Sequence, residues 1–136
     1  MDQAICRAVH SKAWAVVGAS NDRAKYGNRI YRDLRAAGYR VYPVNPNESD
    51  IEGDSAFARL QDLPESVPVV DIVVPSRIGM TIVEDAIESG AEYFWLQPGA
   101  ESPDLIERAK AAGLTVIHNR CAMIEKIDWS DQAGGN

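Results

Sequence analysis

Short apolar runs alternate with amphipathic stretches along almost the whole chain, and no other feature restricts the fold as strongly. Trp14-Ala15-Val16-Val17, Val41-Tyr42-Pro43-Val44, Val69-Val70-Asp71-Ile72-Val73-Val74, Tyr93-Phe94-Trp95-Leu96 and Thr115-Val116-Ile117-His118 read as five strands. The third is nearly uninterrupted, as a strand buried on both faces should be. Between the runs, Ile30, Leu34 and Ala37 recur at helical spacing, and so do Ile82, Val83, Ala86 and Ile87. Ser102 and Pro103 open a further helix that carries Ile106 and Ala109. These three helices stop at Gly38, Gly90 and Gly113, each able to take the left-handed cap before a short turn into a strand. Repeated helix–strand units with short links predict an α/β fold: a parallel sheet of about five strands with helices on both faces.

The remaining segments are less regular. Residues 2–10 suit an N-terminal helix. The stretch 47–68 suggests an extended piece near Ile51-Glu52-Gly53 and a helical turn near Leu60-Gln61-Asp62-Leu63. The tail Gln132-Ala133-Gly134-Gly135-Asn136 reads as loose. At 136 residues, a single domain is expected over 1–136, with its core near 12–126.

Composition narrows the function classes. The formal net charge of −6 conceals a balance of +5 over residues 1–45 and −11 over 46–136. An acidic whole argues against non-specific nucleic-acid binding. The basic N-terminal third suits a small polyanionic ligand, and composition alone leaves helix-surface charge as the simpler account. No apolar run approaches a membrane span, and Met1 to Arg7 lacks the pattern of a secretory signal. Two cysteines, Cys6 and Cys121, do not form a disulfide framework, so a cytoplasmic location is expected.

Ligands of doubly wound sheets bind beyond the carboxyl ends of the strands. The first such loop runs from Gly18 through Ala19, Ser20, Asn21, Arg23, Lys25 and Tyr26 to Gly27 and Asn28. Gly18 lets the chain leave the strand sharply, and the helix start at Gly27-Asn28 offers free N–H groups to phosphate. A glycine-bearing turn without a ligand is the plainer alternative. The spacing departs from G-x-G-x-x-G, and the second strand ends in Val44-Asn45-Pro46, with no carboxylate for a ribose hydroxyl. Both features weaken an NAD reading. Pro75, Ser76 and Arg77 follow the third strand, Gln97 the fourth, and Arg120-Cys121 the fifth. Cys121 is either a small core residue or a thiol near a positive charge. His10 and His118 lack metal-ligand spacing, and no nucleophile elbow or Walker A sequence is present, so neither catalytic nor metal residues are assigned.

At these strand ends the sequence resembles the CoA-binding domain family, a Rossmann-like module. That module occurs as stand-alone bacterial and archaeal proteins. It is also the N-terminal domain of succinyl-CoA synthetase alpha subunits and ADP-forming acyl-CoA synthetases. The matching stretches are Val16 to Asp22, Gly27, Gly38 to Pro46, Asp71 to Pro75, Trp95 to Gly99 and Asn119 to Glu125, in order over about 12–126. The resemblance implies non-covalent binding of coenzyme A or an acyl-CoA. By the same resemblance Gly18, Ala19, Ser20 and Asn21 hold phosphates, with Arg23 and Lys25 as charge partners. Val44, Asn45, Pro46 and Arg40 lie near the adenosine, Val74 and Pro75 pack on the ligand, and Cys121 lies toward the pantetheine end. Arg120, Ala122 and Met123 depart from the ligase pattern and match the stand-alone branch. Without the ligases' phosphohistidine domain, the expectation is a binding protein with no reaction of its own. The alternatives are an NAD(P)-linked oxidoreductase domain or a ligase subunit that needs a partner chain. Homo-oligomerisation is left open.

Overall fold

A computed structural model describes residues 2–130; the tail expected to be loose lies outside them. The chain runs α1 (Asp2–Val9), β1 (Ala13–Val17), α2 (Tyr26–Ala36), β2 (Arg40–Val44), β3 (Asp50–Ile51) and β4 (Asp54–Ser55). After a 3-10 turn (Leu60–Asp62) come β5 (Val69–Ile72), α3 (Ser76–Ser89), β6 (Tyr93–Leu96), α4 (Pro103–Ala111), β7 (Thr115–Ile117) and α5 (Ala122–Glu125). Five strands form one parallel sheet in the order β2-β1-β5-β6-β7. The chain moves outward from β1 to β2, then returns past β1 to β5 and continues the other way. The reversal between β1 and β5 is the place where a doubly wound sheet opens a crevice. The single-domain, Rossmann-like α/β architecture expected from the alternation is the one observed.

Side-chain alternation assigns the two faces. Trp14, Val16, Val69, Tyr93 and Trp95 point to the face covered by α1, α2 and α5. Ala15, Val17, Val70, Ile72, Phe94 and Leu96 point to the face covered by α3 and α4. Trp14 packs against Trp95 at 5.4 Å between ring centroids, so the first face is built on large aromatics. β2 is an edge strand, which is why it tolerates Pro43.

Two expectations shift. The third strand ends at Ile72 rather than Val74, because the chain turns there toward the helix that begins at Ser76. The extended piece near residue 51 is one arm of a hairpin, β3 with β4, closed by Glu52 and Gly53. Both turn residues have positive φ, +50° and +84°, as a two-residue hairpin turn of type I′ requires.

Candidate functional site

The first crossover is held by backbone packed directly on backbone. Gly18 leaves β1 at φ +104° and donates its N–H to the Val44 carbonyl at 3.0 Å. A Cβ at Gly27 would lie 2.1 Å from the Gly18 carbonyl oxygen, so the first turn of α2 rests on the turn that leaves β1. Fully buried Asn28 donates to the Ser20 carbonyl at 2.7 Å and to Glu52 at 3.0 Å. Asn45 donates to the Ala19 carbonyl at 2.9 Å and accepts from the Asn47 N–H at 2.8 Å. The carboxyl ends of β1 and β2 are thereby fixed to each other.

Above this turn lies a cleft of about 840 Å³. Gly18, Ser20, Lys25 and the start of α2 form its floor on the β1 side, and Val44, Asn45, Pro46 and Asn47 close it on the β2 side. Val74 and Pro75 form the opposite wall with one face of α3. A second hollow of about 460 Å³ shares Tyr26, Val73, Val74 and Pro75 with the cleft and continues it to Gln97, Pro98 and Gly99. The two together follow the carboxyl ends of β2, β1, β5 and β6. Lys25 and Arg59 are the cations lining the larger part among the described residues.

At its far end the cleft is polar. Tyr26 Oη lies 2.7 Å from Cys121 Sγ, and Gln97 donates from Nε2 to the same sulfur at 3.4 Å while Oε1 accepts the Ala122 N–H at 3.1 Å. Burial and the bond to Cys121 push the Tyr26 phenol up to about 12, so it stays a protonated hydroxyl at neutral pH. Asp71 sits beneath on β5, fully enclosed, and neither carboxyl oxygen has a hydrogen-bond partner. Burial, and then the neighbouring Cys121, raise it well above the carboxylate range.

Not every residue expected in the site is brought to it. Arg23 turns outward and grips Glu52 of the hairpin with two bonds, at 3.2 and 2.7 Å. That grip and the Asn28 amide hold the Glu52 carboxyl down at about 2. Asn21 serves the same hairpin, accepting the Glu52 N–H at 2.9 Å. Arg40 begins β2, at the opposite end of the sheet, and pairs there with Glu65 at 2.6 Å. Arg77 is exposed on the first turn of α3, where Ser76 is half-buried; neither lines the cleft. Ala19 is buried below the floor and contributes its carbonyl to Asn45. Sequence reasoning missed Arg59, Ile78, Ile82 and Asp85. Starting α3 at Pro75 would have revealed Ile78, Ile82 and Asp85 on one helical face. The pair Arg59–Asp85, 2.8 Å apart, joins residues 26 positions apart and has no local signal.

Comparison with known proteins identifies the family and the fold. A family model described as a CoA binding domain matches residues 12–127. A Bacillus subtilis protein described as uncharacterized protein YneT is 28% identical over 114 residues, which covers 84% of each chain. The alpha subunit of ADP-forming acetate–CoA ligase II from Pyrococcus furiosus is 31% identical over 121 residues. That match covers 81% of this chain but 26% of the ligase subunit. Among solved structures, a conserved hypothetical protein from P. furiosus superposes with a TM-score of 0.81 at 41% identity. The superposition covers 85% of this chain and 99% of that one.

Proposed function

Because this chain belongs to the CoA binding domain family, we propose that it binds coenzyme A or an acyl-CoA in the cleft described above and does not itself turn the ligand over. The observation that carries the reading is the floor of that cleft. A glycine turn, a helix start and Lys25 converge at the strand-order reversal, while the second strand ends in an amide. A diphosphate needs N–H donors and positive charge there. A nicotinamide dinucleotide would also call for a carboxylate where Asn45 stands.

The diphosphate is assigned to the turn at Gly18, Ala19 and Ser20, with Lys25 and the N–H groups at Tyr26 and Gly27. The adenosine is assigned to Val44, Asn45, Pro46 and Asn47, and Arg59 is the cation nearest that end. The pantetheine arm then passes Val74 and Pro75 toward Tyr26, Gln97 and Cys121. Arg23, Arg40 and Arg77 have no place in this assignment, because none of them lines the cleft. A cytoplasmic setting is part of the proposal. Two free cysteines support it, and among the described residues no helix is long and apolar enough to cross a membrane.

Native mass spectrometry with CoA, NAD, NADP and ATP tests the reading and reports the oligomeric state. One CoA per chain is expected; retention of a nicotinamide dinucleotide with no CoA would overturn it. A ligase-subunit role is favoured by one finding, the match to an ADP-forming acetate–CoA ligase subunit. It requires that a partner chain co-purify from the native host.

A further inference from the structure

The cleft reading brings the pantetheine arm to a cluster at its far end but gives those side chains no chemistry. Its four side chains come from separate elements: Tyr26 from the start of α2, Asp71 from β5, Gln97 beyond β6 and Cys121 beyond β7. Tyr26 and Gln97 line the second hollow, and both turn their polar ends onto Cys121 Sγ. The sulfur thus lies one side chain behind the wall where the pantetheine arm would end. Asp71 is the second observation. A fully enclosed carboxyl with neither oxygen paired is rare, and a redox or catalytic role is among the reasons such a group is kept.

We propose that Cys121 is a thiol–disulfide exchange site for the sulfur of the bound carrier, accepting a CoA moiety from a CoA disulfide and holding it as a protein mixed disulfide. The proposal rests on the CoA reading of the cleft. Cys121 gives up its proton, and Sγ attacks the nearer sulfur of the disulfide. The Sγ–S bond forms as the original S–S bond breaks, and the departing CoA thiolate takes up a proton. Cys121 is oxidised and the released CoA is reduced to its thiol, so no further oxidant is consumed. The Tyr26 hydroxyl and the Gln97 amide are donors toward the reacting sulfur. Burial disfavours the charged form of Asp71, which limits the opposing charge near the sulfur. Tyr26, 37% exposed, lines the second hollow and touches the sulfur, so the exchange requires its ring to swing aside.

The test is incubation with CoA disulfide, read by intact-mass and peptide-mapping mass spectrometry. One CoA moiety per chain is expected, on the peptide carrying Cys121, released by dithiothreitol and retained in Cys6→Ser. Labelling should be at least about tenfold faster than with pantethine, which has the same disulfide without the nucleotide, a difference of ~1.4 kcal/mol in transition-state binding. Desulfo-CoA should block it. An adduct on exposed Cys6 alone, equal rates with pantethine, or no adduct would overturn the proposal. Calorimetry with desulfo-CoA separates the two levels. Binding without an adduct defeats only the exchange step, whereas no binding defeats the cleft reading itself.

Discussion

Gly27→Ala strikes the contact on which the whole site is built. The added Cβ would lie 2.1 Å from the Gly18 carbonyl oxygen, 3.0 Å from its carbonyl carbon and 3.4 Å from the Ala19 Cα. All three are backbone atoms at a turn already fixed by Asn28 and Asn45, so no side chain can swing aside. To restore ordinary contact the start of α2 must lift by about 1 Å. Overpacking of this kind costs ~1–3 kcal/mol, or a melting-point drop of about 4–12 °C for a chain of this size. The same lift draws the α2 N–H groups off the diphosphate, so CoA affinity should fall by about tenfold to a hundredfold, ~1.4–2.8 kcal/mol. Thermal unfolding and calorimetric titration measure the two effects. Gly53→Ala is the control: at φ +84° it introduces strain, yet its Cβ meets nothing within 4 Å and it lies away from the cleft. It should lower the melting point slightly and leave CoA affinity intact. Unchanged stability and affinity in Gly27→Ala would refute the backbone-on-backbone account of the turn.

Three other outcomes are expected. Lys25→Ala should weaken CoA by about tenfold (~1.4 kcal/mol) with a shallower salt dependence, while weakening pantetheine little; equal losses for both ligands in titration would remove Lys25 from the phosphates. Glu52→Gln should cost stability at neutral pH, because the depressed carboxyl favours the folded chain above its unfolded value of about 4.5. That difference should vanish as pH falls toward about 2, and a pH-independent gap in melting points would contradict it. Asp71→Asn carries the opposite sign. The folded carboxyl is raised, so the unfolded chain ionises first, and Asp71 subtracts stability as pH rises above about 3.8. The variant should therefore gain on the wild type with rising pH, and parallel melting curves would count against a carboxyl raised by burial.

The sheet was legible because its strands are short apolar runs and three of its helices end at glycine. The parallel sheet, and the strand carboxyl ends as the place for a ligand, followed from alternation; the order of the strands is seen only in the folded chain. The β1–α2 loop was legible for the same reason, since its glycines answer to backbone geometry. Charged positions were harder to place. Arg40 stands beside the Val44-Asn45-Pro46 turn in sequence, yet four residues of strand carry it about 13 Å to the opposite end of β2. Arg23 looked like a free cation because its partner, Glu52, lies 29 residues away on a hairpin whose contacts have no local signature. Arg59 and Asp85 were invisible for a similar reason. Asp71 did leave a trace: a carboxyl within a strand expected to be buried on both faces. Only the packing of α2 and α5 over that face shows it sealed and unpaired.

The central claim is that the turn leaving β1 cradles a diphosphate belonging to a thiol carrier. Backbone amide chemical shifts, followed while CoA and then NADH are titrated into the labelled protein, test it most directly. CoA should move Gly18, Ala19, Ser20, Tyr26 and Gly27 most, with smaller shifts reaching Asn45 and Gln97, and NADH should leave them in place. Shifts confined to other surfaces with CoA, or this same pattern evoked by NADH alone, would contradict the account.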